Sequence, residues 1–500
     1  MNSGHDADLA RSLLTREQIL ALAQSNPEAL ADLVLAQQEI IVRLVQKIQT
    51  LEQRIIELES RLSKDSHNSS KPPSSDGYKK PQPQSRRKRK GRKSGGQRGH
   101  PGSTLKFAEN PDQVVVIPLD ECPHCKDQSL KYLAAAEYER RQEFEIPAPK
   151  LSVTEYRAEV KNCPGCGRRI HAPFPEHLKS PVQYGPRLLS FVVYLRNQQL
   201  LPVNRIRQLC EDLFGQPVSE EVILQAGETC CAKLEPFESA LIAGLQRSPV
   251  LHVDESGLRV GKELHWLHAA TTPELTFYGV HKKRGKEAPD QFGILPKFNG
   301  TLVHDFWKAY LNYFCRHALC NAHLLRELTY LQEQEQQAWA GHLLDLLTEM
   351  NKFTRSRQGR VEQLSEQQKE PWIERFREIV AWGRAANPQP DTPPEKRVRG
   401  RRKQSKSQNM LDRLERYEHY VLAFLHDLIV PFTNNLAEQD IRMIRVQQKI
   451  SGCFRTEKGA AHFARLRSYI STARKQGRNI LQSIEQAMQG NCFIPTMSIR

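Results

Sequence analysis

The spacing of apolar residues changes several times along this chain, and each change marks a new element. From Ile41 the apolar positions Ile41, Leu44, Ile48, Leu51, Ile55, Leu58 and Leu62 alternate by three and four. That is a heptad seam, with Ile mostly at one position and Leu at the other, the combination that favours a parallel two-stranded coiled coil. It predicts a dimerising helix over residues 28–64. The seam is flanked by Gln46, Lys47, Glu52, Gln53 and Arg54, which leaves it narrower than the stripe of a helix packed on its own domain. Residues 180–245 have helical spacing. Within them residues 203–213 lead into Gly215-Gln-Pro-Val, and Ser219 is placed to cap the next helix, a helix-turn-helix-like pattern with Arg205 and Arg207 as candidate DNA contacts. Helix pairs with short turns also occur in proteins that never touch DNA. Further on come short β-branched runs at 250–253 and 301–303, with strand-like runs at 263–270 and 275–280 and a helical segment at 288–295 between them. Residues 329–430 return to polar-rich helices, interrupted by a stretch at 385–408 rich in Pro, Lys and Arg.

Composition narrows the reading. At 500 residues the chain is too long for one ordinary core. It carries 73 Lys+Arg against 57 Asp+Glu, a net charge of +16, which favours a polyanionic partner such as double-stranded DNA. No apolar run has transmembrane length, and the polar start lacks the basic and apolar regions of an export signal. A cytoplasmic, nucleoid-associated protein is expected, with no membrane partner. Residues 63–78 read as linker, and residues 65–111 as a basic arm containing Arg86, Arg87, Lys88, Arg89, Lys90, Arg92 and Lys93. Such a run can track phosphates through counterion release, or be a solvated charged tail. Two turn-forming pairs follow, Cys122-Pro-His-Cys125 and Cys163-Pro-Gly-Cys166. They predict one structural four-thiolate zinc site in a domain over 112–175, with strands at 142–146 and 152–160 to bring the pairs together. Redox chemistry is the alternative use of such thiols.

Three acidic residues have unusual company: Asp254 in VLHVDESG, Asp305 in GTLVHDFWKAY and Glu438 in TNNLAEQDIRMIR. The first two follow the β-branched runs, so they belong at the ends of buried strands. Glu255 is sent to the opposite face by the two-residue period of a strand. Glu438 belongs to a helix whose apolar stripe is Ala437, Ile441 and Ile444, with Arg442 and Arg445 repeating its spacing as candidate phosphate contacts. Asp440 lies on the other flank and is the weaker candidate. Three carboxylates suit two Mg²⁺ (or Mn²⁺) ions, hard cations that retain waters exchangeable for phosphate oxygens. An isolated acid after a strand is more often a turn or capping residue. Three strands, a helix and then a strand bearing a second acid is the order of an RNase H-like core, here at 246–490 with a helical insertion at about 329–430 and a tail at 491–500.

With SSKPPSSDG, GGQRGHPG, HDFWKAY, HALCNAHLLREL and NNLAEQDIRMIRVQQKISGCFRTEKGA added to the coiled coil, the two CxxC pairs and HVDESGLRV, the chain resembles the insertion-sequence-66 family of transposases along nearly its whole length. The resemblance implies an RNase H-like acidic triad of Asp254, Asp305 and Glu438, acting in DNA cleavage and strand transfer at element ends, with accessory proteins of the element as further partners. Cys320-Asn-Ala-His323 resembles a CxxH motif that supports the fold or the DNA end, and Cys320 and His323 are read as a structural pair, a second metal site being the alternative, for which no other two ligands are evident. The expectation is a multidomain α/β transposase. A zinc-containing coiled-coil regulator without catalysis, or an RNase H-like nuclease or resolvase, would share part of the pattern.

Overall fold

The computed structural model describes residues 14–62, 64, 68–69, 105–388 and 404–497. The basic residues Arg86 to Lys93, and the 389–403 part of the insertion, lie outside them. Thr15 and Gln18 form a capping box at the start of α1 (Arg16–Ser25), satisfying amides that the first helical turn leaves unpaired. Asn26 then accepts from the Ala29 amide at 3.1 Å and opens α2 (Pro27–Leu62), a helix of 36 residues. Ile41, Leu44, Ile48, Leu51, Ile55 and Leu58 are all exposed along it.

Between Leu105 and Gly185 there is little regular structure beyond a hairpin, β1 (Val160–Asn162) with β2 (Arg169–His171). The strands expected at 142–146 and 152–160 do not form, apart from Val160. Their alternation has nothing to lean on, since Ile146 is 83% and Val153 90% exposed. Helices follow: α3 (Pro186–Asn197), α4 (Val203–Phe214), α5 (Glu220–Ala232) and α6 (Glu235–Gln246). α4 ends at Gly215, whose φ of +66° is the left-handed conformation glycine adopts without strain. The Ser219 hydroxyl accepts from the Val222 amide to start α5, as its place in the sequence predicts.

The strands and helices beyond are β3 (Val250–Val260), β4 (Glu263–Thr271), β5 (Thr276–His281), α7 (Glu287–Phe292), β6 (Thr301–His304), β7 (Arg316–Leu319), α8 (Asn321–Gln334), α9 (Ala338–Arg357), α10 (Glu366–Ala386), α11 (Lys406–Arg416), α12 (Glu418–Val421), α13 (Ala423–His426), α14 (Asn435–Ser451), α15 (Glu457–Lys475) and α16 (Ile480–Met488). The strand order is β5-β4-β3-β6-β7. The chain divides into two compact units, one formed from residues up to 82, 249–253 and 299–435, the other from 83–248, 254–298 and 436–500.

In the first unit β6 is the centre. It pairs in parallel with the start of β3, Leu251 opposite Leu302, and with β7, Val303 opposite Ala318. Parallel strands need both faces covered, and all four residues of β6 are buried. Helices α8 to α13 build a separate apolar core around Trp339, Leu343, Leu347, Phe376, Leu411 and Leu425. A Cβ at Gly383 would lie 2.8 Å from both Trp339 and Leu411, so the packing of α10 there requires glycine.

In the second unit β4 and β5 pair antiparallel, Ala269 opposite Tyr278. The edge strand β5 is finished by side chains of α15: the Tyr278 amide donates to Ser468 Oγ at 2.8 Å and the Thr276 amide to Thr472 Oγ1 at 3.1 Å. Covering an edge in this way removes a template for unwanted pairing. Leu258, Leu267, Tyr278, Ile444, Phe454 and Phe463 fill the core beneath.

Candidate active site

β3 turns polar at its midpoint. Leu251, His252 and Val253 are buried, and the half-buried Asp254 follows. Asp254 Oδ1 accepts from the Glu255 amide at 2.9 Å, which fixes the carboxylate's orientation. Asp305 stands just beyond the last residue of β6, and its Oδ1 accepts from the Trp307 amide at 3.1 Å. Asp305 thus stands at a strand end, as the sequence predicts, whereas Asp254 does not: β3 runs on past it to Val260, because the strand continues beyond the β-branched run into its pairing in the second unit. Glu438 lies half-buried in the first turn of α14, where Ala437, Ile441 and Ile444 are the buried stripe and Arg442 and Arg445 are exposed.

The residues beside these acids are tied together inside the first unit. Buried Asn434 donates through Nδ2 to the Val253 carbonyl at 2.8 Å, and its Oδ1 lies 2.9 Å from His252 Nδ1. Its backbone amide donates to Cys320 Sγ at 3.2 Å, and the Cys320 amide donates to the His304 carbonyl at 2.9 Å. One network thus joins Val253, His304 and Asn434, which precede Asp254 and Asp305 by one residue and Glu438 by four. Sequence reasoning passed over Asn434. Its signal was the Asn434-Asn435 pair between a strand-rich segment and a helix. Cys320 is buried, and half-buried His323 donates its amide to the Cys320 carbonyl at 3.3 Å.

The neighbouring acids have other employment. Glu255, with a side chain only 1% exposed, accepts from Arg284 at 2.8 and 2.5 Å, and that guanidinium stacks on the Trp266 ring. Asp440 is engaged by Lys475 Nζ at 2.6 Å and by Thr271 Oγ1 at 2.6 Å. Lys475 also donates to the Thr272 and Leu275 carbonyls, and burial holds its ammonium below the ordinary lysine range against the pull of Asp440. These are structural ion pairs.

Each cysteine pair forms a tight knuckle. The Lys126 amide returns to the Cys122 carbonyl, and the Gly167 amide to that of Cys163, both at turns. The Cys122 thiol is held below its usual range by the Cys125 and His124 amides, and the Cys163 thiol by those of Cys166 and Gly165. Amides aimed at a sulfur favour thiolate, the form that binds zinc. Among the described residues the four thiols do not gather into one cluster; two half-sites stand ready. Arg205 and Arg207 are exposed on α4.

The model of the family described as "Transposase IS66 family" matches residues 181–462, more than half of the chain. The chain belongs to the IS66 transposase family. A zinc-finger binding domain of transposase IS66 matches residues 120–167, both knuckles included, and a family of unknown function matches residues 22–106. No curated protein matches the chain. The IS66 family assignment carries transposase function and, through its zinc finger, zinc and DNA binding. Among its described residues, no helix of this IS66 transposase is long and apolar enough to cross a membrane.

Proposed function

We propose that the chain is a DDE-type transposase whose RNase H-like domain cleaves DNA at insertion-sequence ends and joins the freed strand to a target. Asp254, Asp305 and Glu438 are the catalytic carboxylates. The observation that carries this reading is the buried Asn434 network, which binds together the backbone immediately before the first two acids and the turn before the third. Carboxylates set on rigid elements and oriented by backbone amides suit a site that must hold its ligands without rearrangement.

The donor set is all hard oxygen, which fits Mg²⁺ or Mn²⁺. Two such ions held by the triad would supply activation of the attacking oxygen and charge stabilisation on the departing one. The chain's own residues orient the carboxylates through the Glu255 and Trp307 amides, while exposed Arg442 and Arg445 take phosphate oxygens along the DNA. In cleavage a water oxygen forms the new bond to phosphorus and the bridging 3′ oxygen leaves. In transfer that 3′-hydroxyl attacks a target phosphate and displaces the target strand's own bridging 3′ oxygen, so no covalent protein intermediate arises. The α2 seam supports a parallel dimer, which would present two such domains to two element ends.

The test uses the element's own terminal repeats as substrate, with Asp254→Asn, Asp305→Asn and Glu438→Gln. Each variant is expected to lose Mg²⁺-dependent cleavage and joining while retaining DNA binding in a mobility shift. Full cleavage by any one removes that residue from the site. Cleavage without joining by the wild-type chain would favour a nuclease.

A further inference from the structure

A cluster of ligating groups that the catalytic reading does not use lies in the second unit. Glu263 begins β4, buried His265 follows two residues on, and Glu457 begins α15. One ligand atom from each lies within 4.8 Å of the others. The chain between α14 and α15 is fixed against the end of the β3–β4 hairpin: the Gly261 amide donates to the Phe454 carbonyl at 2.7 Å, and the Phe454 amide to that of Arg259 at 3.1 Å. Glu457 is therefore held beside the hairpin by backbone pairing rather than by chance of side-chain rotation.

Charge and hydrogen bonding leave this cluster incomplete. Lys282 Nζ contacts Glu457 at 2.7 Å, so one cation faces two carboxylates. His265 is 2% exposed, and neither of its ring nitrogens has a hydrogen-bond partner. Nε2 faces Glu457 Oε1 at 3.8 Å. A buried polar group left unsatisfied costs about 1–3 kcal/mol, and an ion pair between exposed side chains does not relieve it. A cation between the imidazole and the carboxylates would.

We propose that Glu263, His265 and Glu457 bind a divalent transition ion of the zinc type. Imidazole with carboxylate suits such an ion better than Mg²⁺, which prefers oxygen alone. Ligand atoms around tetrahedral zinc are about 3.3 Å apart, so closure needs only small rotations of the two exposed glutamates and release of Lys282 to solvent. The ion would pin the hairpin to the start of α15. This site is independent of the catalytic reading.

The probe is Zn²⁺ added to the full chain at micromolar free concentration, with bound metal measured by mass spectrometry. The cysteine site contributes equally to every protein compared, so differences report the new site. Glu263→Gln/Glu457→Gln, at exposed positions, is expected to hold one zinc fewer per chain than the wild type. Lys282→Gln, by removing the competing ammonium, is expected to tighten that zinc by about tenfold. Equal zinc content in the wild type and the double variant overturns the site. Unchanged affinity in Lys282→Gln removes Glu457 from the ligand set.

Discussion

Asp440 shows how the fold can consume an acid. Its ion pair with Lys475 is mostly buried, with side chains 17% and 13% exposed. Lys475→Met would leave that carboxylate without its cation, at a cost of about 3–5 kcal/mol. The double change Asp440→Leu/Lys475→Met is expected to restore much of that loss, as read from urea unfolding midpoints. His268 on β4 gives a second test. Burial, chiefly, lowers its pKa from 6.5 to about 4. Because the unfolded chain then binds a proton that the folded chain refuses, stability is full above pH 6.5 and is lost as pH falls toward about 4. That loss is on the order of 3 kcal/mol. His268→Leu is expected to flatten this part of the stability curve, and an unchanged slope would assign the acid sensitivity elsewhere. The strands that carry Asp254 and precede Asp305 were legible from their β-branched runs, although an acid after such a run is more often a turn or capping residue and the run alone assigns it no role. The Asn434 network was not, since its partners lie more than a hundred residues apart and nothing in local spacing joins them.

Elements with their own core were read more accurately than those without one. The capped start of α5 and the helical run from α8 onward follow from side-chain periodicity backed by buried residues. The alternation at 142–146 and 152–160 looked equally regular, yet it forms no strand, because a two-residue period needs a facing layer before it has an inside. α2 poses the same question differently: its helix is present, and its apolar seam is exposed in one chain. A second copy is the natural cover. If the seam pairs two copies, the wild type should sediment as a dimer and Leu51→Lys/Leu58→Lys as a monomer; a wild-type chain that already sediments as a monomer would exclude pairing through this seam.

For the molecule as a whole, a net charge of +16 makes affinity for DNA a function of salt. Neutralising Arg86, Arg87, Lys88 and Arg89 is expected to weaken binding to element ends and to random duplex by similar factors. The slope of log K against log salt should become shallower by about 0.9 for each phosphate no longer neutralised. A weakening confined to element ends would show that these residues read sequence. Cys320 offers a different kind of gauge. It is 4% exposed and its sulfur receives the Asn434 amide, whereas Cys125, Cys166 and Cys453 are exposed. An alkylating reagent reaches a buried thiol only when the surrounding structure opens. Cys210, Cys230 and Cys231 are buried too, so labelling followed at Cys320 itself would act as a clock, each tick a moment at which the backbone behind the acids lets go.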